Sequence, residues 1–122
     1  MKGDLAEMRV GAKFLEKGWY VSYPFGDDAP YDLIVDMEGV LNKVQVKHVT
    51  GKDGILKVRM KSNTGIPYKG KVDYIAIYEP ISEGVYLVNP NEFDNLQMII
   101  LRLEKPKNNQ TKGVIMAEQY KI

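Results

Sequence analysis

A chain of 122 residues with no cysteine, one histidine and a formal net charge of +1 excludes a disulfide framework, a thiolate metal site and a multi-histidine zinc centre. Its length suits a single domain spanning residues 1–122, and 44% hydrophobic with 27% charged residues is the balance of a globular chain, not a disordered one. Cysteine nucleophiles are excluded, a serine triad has only His48 to draw on, and no apolar run approaches the roughly 20 residues of a membrane helix.

The first residues read as a charged amphipathic segment rather than a targeting signal, so the expectation is an intracellular, cytoplasmic protein. Residues 3–17 form a helix closed by Gly18, where a C-terminal glycine belongs. At about 100° per residue, Leu5, Met8, Val10, Ala12, Phe14 and Leu15 make one broad apolar arc. Arg9, Lys13, Glu16 and Lys17 lie opposite. Glu7 falls inside the arc, between Phe14 and Leu15, with Gly11 one turn later. A carboxylate on a buried face is costly unless it is paired, protonated or bound to a cation. Either Glu7 pairs with a buried lysine and holds the fold, or it is presented to a site at the sheet surface with Gly11 leaving room beside it.

Residues 19–23 form a short strand and 24–30 a turn. From 31 to 37 the chain alternates, with Tyr31, Leu33, Val35 and Met37 on one face and Asp32, Ile34 and Asp36 on the other. Glu38-Gly39 makes a hairpin turn. The returning strand, 40–50, puts Val44, Val46 and His48 on one face and Lys43, Gln45 and Lys47 on the other. His48 reads as a core or edge histidine that the chemistry below does not require. A second turn at 50–54 leads to a strand at 55–61 with outward lysines, and a loop fills 62–70. Residues 72–78 are nearly continuous in apolar and aromatic side chains, the mark of a strand covered on both faces. Strands follow at 84–88 and 98–103, with a helical turn in 91–97 and a loose loop at 105–113. The whole reads as α+β, a helix packed on a central mixed β-sheet.

Charge is segregated. Between Lys43 and Lys71 there are eight Lys or Arg and one acid, a net +7, so the remainder carries −6. A basic middle suits phosphate contacts; lysine-rich solvated strands give the same pattern. Three polar breaks in apolar patterning also line up. Asp32 near the open end of one hairpin strand lies close to Gln45 and Lys47 on its neighbour, and those two point to one face. If the helix packs over that face, Glu7 joins them.

That order of residues, with Pro30-Tyr31-Asp32 followed by Gln45-Val46-Lys47, resembles the PD-(D/E)XK nuclease superfamily. Lys2-Gly3-Asp4-Leu5-Ala6-Glu7, Tyr31-Asp32-Leu33-Ile34-Val35-Asp36 and Tyr68-Lys69-Gly70-Lys71-Val72-Asp73-Tyr74 are similar to it as well. The resemblance is to a small archaeal, phage and intron-encoded subgroup, homing-endonuclease- and Holliday-junction-resolvase-like, that carries Gln where other members carry Asp or Glu. It runs from Lys2 to about Pro90, and 101–104 and 117–120 are also similar.

The resemblance implies an α/β-type restriction-endonuclease-like core and a Mg²⁺-dependent DNA endonuclease, a phosphodiester hydrolase that is structure- or site-specific, resolvase-, homing- or restriction-like. It implies Asp32 as the principal ligand of Mg²⁺, for which Mn²⁺ substitutes, helped by the Val46 backbone carbonyl. Lys47 then orients the attacking water or steadies charge growing on phosphate oxygens, and Glu7 holds a water on the cation or a second cation. Gln45, a neutral amide, leaves the site one negative charge short and orients water or phosphate by hydrogen bonding. Asp73 is either a strand-start residue bonded to nearby backbone amides or a group supporting the site or facing DNA. Lys43, Lys52, Lys57, Arg59, Lys61, Tyr68, Lys69 and Lys71 are the expected nucleic-acid contacts. One site per chain favours a homodimer or homotetramer for cutting a duplex. No membrane contact and no small-molecule cofactor are expected, since no nucleotide-type glycine loop is present. The alternative is a catalytically inactive nuclease-fold module that binds nucleic acid.

Overall fold

The computed structural model describes residues 1–26, 28–108 and 113–122. Asp27 of the expected 24–30 turn and positions 109–112 of the expected 105–113 loop lie outside the described residues. The chain opens with helix α1 (Lys2–Glu16), which stops as its sequence directs. Gly18 has φ +83°, its N–H donates to Leu15 O, and the Trp19 N–H reaches back to Phe14 O at 3.0 Å. These two bonds make a Schellman stop, and the Phe14 and Trp19 rings meet across it with centroids 5.7 Å apart.

Among the described residues seven strands follow: β1 (Tyr20–Ser22), β2 (Leu33–Met37), β3 (Val40–His48), β4 (Ile55–Arg59), β5 (Tyr74–Glu79), β6 (Gly84–Val88) and β7 (Met98–Arg102). Five of them form a mixed sheet in the order β1-β2-β3-β5-β6. All neighbours in it are antiparallel except β3 and β5, which run parallel with Gln45 opposite Ile75 and Lys47 opposite Ile77. The β2–β3 turn is the expected one: Glu38 and Gly39 both take positive φ, at 54° and 91°, as a type I′ hairpin demands. The Asp36 carboxylate accepts the Gly39 N–H at 2.7 Å.

The strand at 55–59 does not extend this sheet. It pairs antiparallel with β7 as a separate two-stranded sheet. Its pattern explains why. Leu56 and Val58 are fully buried while Lys57 and Arg59 are exposed, so β4 has one apolar face and serves as a cover. Strand β5 has two, because Ile75 and Ile77 pack with Leu56, Val58 and Leu101 on one side while Ala76 and Tyr78 pack with α1 on the other. A strand buried on both faces belongs in the middle of a sheet, and β5 takes the place beside β3.

Two adjustments concern the helix. The buried stripe is Ala6, Val10, Gly11 and Phe14; Leu5, Met8 and Leu15, expected to be part of the apolar arc, are 42%, 70% and 62% exposed. One helix resting on a flat sheet covers only a narrow stripe, and here it is the one centred between Ala6 and Phe14. The room beside Glu7 does not require a glycine at position 11 either. A Cβ there would meet only the Tyr23 hydroxyl, at an ordinary 3.8 Å.

Beyond β6 the expected helical turn in 91–97 starts earlier and is shorter, a 3-10 turn over Pro90–Glu92. Pro90 occupies its first position, and the Asn89 side chain accepts the Asn91 N–H at 2.9 Å. A second 3-10 turn, Ala117–Tyr120, brings the C-terminus back so that Ile122 N–H donates to Val85 O. Among the described residues no helix is long and apolar enough to cross a membrane.

Candidate active site

Strand β2 begins at Leu33, and Asp32 sits just before it. Its N–H still pairs with Val44 O at 2.9 Å. Its side chain then continues the pairing that the backbone has given up, with Oδ2 accepting the Val46 N–H at 2.8 Å. In an extended strand the N–H and C=O of one residue leave on the same side. The Val46 carbonyl therefore also faces the edge where β2 has ended and Asp32 stands. Tyr31 departs from the expected alternation: it packs against the cluster beneath the two-stranded sheet, not with Leu33 and Val35 under the helix.

The side of the sheet opposite α1 carries a cleft of about 590 Å³ lined by Asp32, Gln45, Lys47, Tyr68 and Lys71. Its far wall is a short hairpin closed by the pairs Tyr68 N–H to Met60 O and Ser62 N–H to Ile66 O. The exposed tip of that hairpin presents Asn63, Thr64 and Ile66. A smaller cleft of about 250 Å³ opens on the other side of Asp32 and holds Glu7, Tyr23 and Tyr31. Asp32 lines both.

Glu7 thus meets Asp32 by a route different from the expected one. The helix packs over the Val44/Val46 face, while Gln45 and Lys47 lie on the opposite face. Glu7 reaches Asp32 from the helix side, past the end of β2, instead of descending onto Gln45 and Lys47. Glu7 feels the charge of Asp32. The Glu7 pKa is raised by burial, then by the neighbouring charges of Asp32 and Asp4. That of Asp32 is raised by burial, against the lowering effect of the Val46 N–H and the Lys47 ammonium. Among the described residues no group of three or more His, Cys, Asp and Glu converges as a ready-made metal cage. The oxygen donors at this point are two carboxylates and one strand carbonyl.

The expected nucleic-acid contacts separate into groups. Tyr68 and Lys71 line the larger cleft. Tyr68 is nevertheless only 6% exposed and belongs to the core beneath the two-stranded sheet. Its ring is held inward, because the backbone around it is bonded to Met60, Lys71 and Val72. Lys61 and Lys69 lie beyond the lining, their ammonium groups bonded to Gln97 Oε1 and Phe93 O. Arg59 clamps the start of the hairpin through Lys61 O and Ser62 O. Lys43, Lys52 and Lys57 are exposed and line neither cleft of the site. Asp73 exchanges bonds with Lys43, its Oδ2 accepting the Lys43 N–H at 2.8 Å while its own N–H donates to Lys43 O. It fixes the entry of β5 beside β3. His48 sits at the end of β3 with its ring edge-on to Tyr78 at 5.8 Å.

A residue that sequence reasoning passed over is Glu79, 2% exposed at the end of β5. Its carboxylate accepts the Gly51 N–H at 3.0 Å and both the N–H and O–H of Ser82. Burial pushes its pKa up, but these hydrogen bonds outweigh it and the net shift is downward. The signal was an acid closing a strand otherwise apolar on both faces.

With this geometry in place, comparison with known proteins is direct. A family model described as PD-(D/E)XK endonuclease matches residues 1–122. The solved structure of a bacterial homing endonuclease is similar with a TM-score of 0.75 and 28% sequence identity, covering 98% of this chain and 83% of that one. Comparison with curated proteins gave no match.

Proposed function

The chain belongs to the PD-(D/E)XK endonuclease family, and from that premise we propose that it hydrolyses DNA phosphodiester bonds with a divalent cation held at Asp32. What supports this reading is one arrangement. Asp32 stands between Glu7 on one side and Gln45 and Lys47 on the other, at the junction of two open clefts.

The donor set fits a hard cation. Asp32 Oδ2 is engaged by Val46 N–H, which orients the carboxylate and leaves Oδ1 without a hydrogen bond among the described residues. Both carboxyls are held toward their protonated forms by burial, and Glu7 also by like charge; a cation bound at Asp32 would oppose these effects. One or two carboxylates plus a carbonyl, with water and a substrate phosphate completing the shell, is the manner in which Mg²⁺ binds. Mn²⁺, which accepts the same oxygen donors, should replace it. When bound, the ion supplies electrophilic polarisation of the phosphate and a water more acidic than bulk water.

The residues of the chain do the rest. Asp32, the Val46 carbonyl and Glu7 would hold the ion. Lys47 directs its ammonium toward the phosphate oxygens, where negative charge grows. The Gln45 amide offers both a donor and an acceptor for water or phosphate. Lys71 adds positive charge to the cleft, giving affinity without sequence information. The hairpin tip with Asn63, Thr64 and Ile66 is the element placed to read a groove. The likeness to a bacterial homing endonuclease favours duplex DNA cut at chosen sites. One site per chain then calls for at least two copies, as a homodimer or homotetramer, to cut both strands.

The reading is tested without substrate by thermal melting. A ligand that binds only the folded state raises apparent stability. Millimolar Mg²⁺ or Mn²⁺ should raise the melting temperature of the parent and leave that of Asp32→Asn unchanged. A parent whose melt ignores both ions would point instead to a non-catalytic DNA-binding module.

A further inference from the structure

Lys47 carries the positive charge nearest the chemistry, and its surroundings are unusual. Among the described residues no carboxylate oxygen lies within 4.0 Å of its ammonium; the ion pairs there involve other residues. What the Nζ does meet is the face of Tyr68, 4.7 Å from the ring centroid. A cation at that distance over an aromatic face is held by the ring's quadrupole.

We propose that Tyr68 is a positioning residue for Lys47, its ring serving as the platform on which the ammonium rests before substrate arrives. The inference rests on the catalytic role given to Lys47 above. Three facts make the platform rigid. Tyr68 is 6% exposed, and it packs with Val72, Ile75 and Ile77 in the core. Its backbone is tied to Met60, Lys71 and Val72 by bonds of 2.9–3.1 Å. Met60, its partner in the hairpin, is in turn bonded to Gln97 O.

A lysine has a long, flexible stem, and fixing it costs rotamer entropy. A carboxylate partner fixes a lysine but also neutralises it. An aromatic face fixes it while leaving the full positive charge and its N–H donors available to a phosphate. In a site where placement within about an ångström decides rate, such a contact belongs to the catalytic step more than to binding. Tyr68 thus both closes the hairpin that walls the cleft and carries the ring beneath the lysine.

The test uses the full chain with Tyr68→Phe, Tyr68→Leu and Lys47→Ala, read as single-turnover cleavage rate and DNA affinity separately. Tyr68→Phe keeps the ring face and should cut within about twofold of the parent. Tyr68→Leu should cut about tenfold more slowly or worse, with DNA affinity within about twofold. If phenylalanine falls as far as leucine, the hydroxyl and not the ring matters, and the proposal is overturned. If Lys47→Ala is inactive while Tyr68→Leu cuts like the parent, this inference fails and the role of Lys47 stands. If Lys47→Ala cuts like the parent, the underlying reading fails. A second readout needs no variant to fold: in the parent, the Lys47 ε-methylene protons should resonate upfield under the ring current of Tyr68. Their appearance at the position of an ordinary exposed lysine would overturn the platform directly.

Discussion

An Asp32→Asn protein should melt no lower than its parent in the absence of metal and cut DNA about 10³-fold more slowly or worse. The two halves of this result have one cause. Asp32 is partly buried, and its pKa is raised in the fold. For an acid this sign means that ionisation opposes folding: the penalty is full above the raised value, shrinks as pH falls from there toward the ordinary value of 3.8, and is gone below it. Asparagine removes the charge and keeps an oxygen for the Val46 N–H bond of 2.8 Å, so the end of β2 stays closed. What it removes is the anionic oxygen that a cation needs. A variant that loses both activity and stability would place Asp32 among the structural residues instead.

Glu79→Gln should show the opposite pattern: a loss of about 2 kcal/mol in stability at pH 7 with the site itself untouched. The carboxylate of Glu79 takes donors on both oxygens, Ser82 on one and Gly51 on the other. A glutamine offers one oxygen, so its amide N–H must confront the Gly51 N–H or one of the Ser82 donors. The folded pKa of Glu79 lies below its ordinary value of 4.5. Its contribution is therefore fully present above that value and is lost as pH falls through the lowered one. Parent and variant should differ most at neutral pH and converge in acid, followed by urea unfolding across a pH series. A constant difference at all pH values would mean that packing, and not the carboxylate, carries the effect.

The two acids illustrate what the sequence could and could not convey. Asp32, Gln45 and Lys47 were legible because a hairpin with a Glu-Gly turn has fixed register, and alternation puts Gln45 and Lys47 together. Glu7 was legible as an anomaly, a carboxylate on an apolar stripe, but its approach was not. Which face of the sheet the helix covers depends on long-range pairing: Leu33, Val35, Val44 and Val46 turn toward α1, and the polar alternates face the other way. The separation of β4 and β7 was likewise hidden. Each strand shows one apolar face, and that pattern is the same whether the strand extends a sheet or covers one.

Burial also redistributed the basic residues. Lysines and aromatics near one another read alike as contacts for a polyanion. Only the fold shows Tyr68 turned inward under Lys47, Arg59 clamping a loop and Lys71 left in the cleft. Glu79 was passed over because one of its donors, Gly51, comes close only once β3 and β5 are assembled, although Ser82 follows just three residues on in the β5–β6 turn.

The most direct measurement is cleavage of a panel of supercoiled plasmid, linear duplex and four-way-junction DNA, with Mg²⁺, with Mn²⁺ and with EDTA, by the parent chain and by Asp32→Asn and Lys47→Ala. Cutting is expected with either ion and not in EDTA, and both variants should lose cutting while DNA binding persists. Cutting by the parent that survives EDTA, or that survives loss of Asp32, would contradict hydrolysis through a cation held at Asp32.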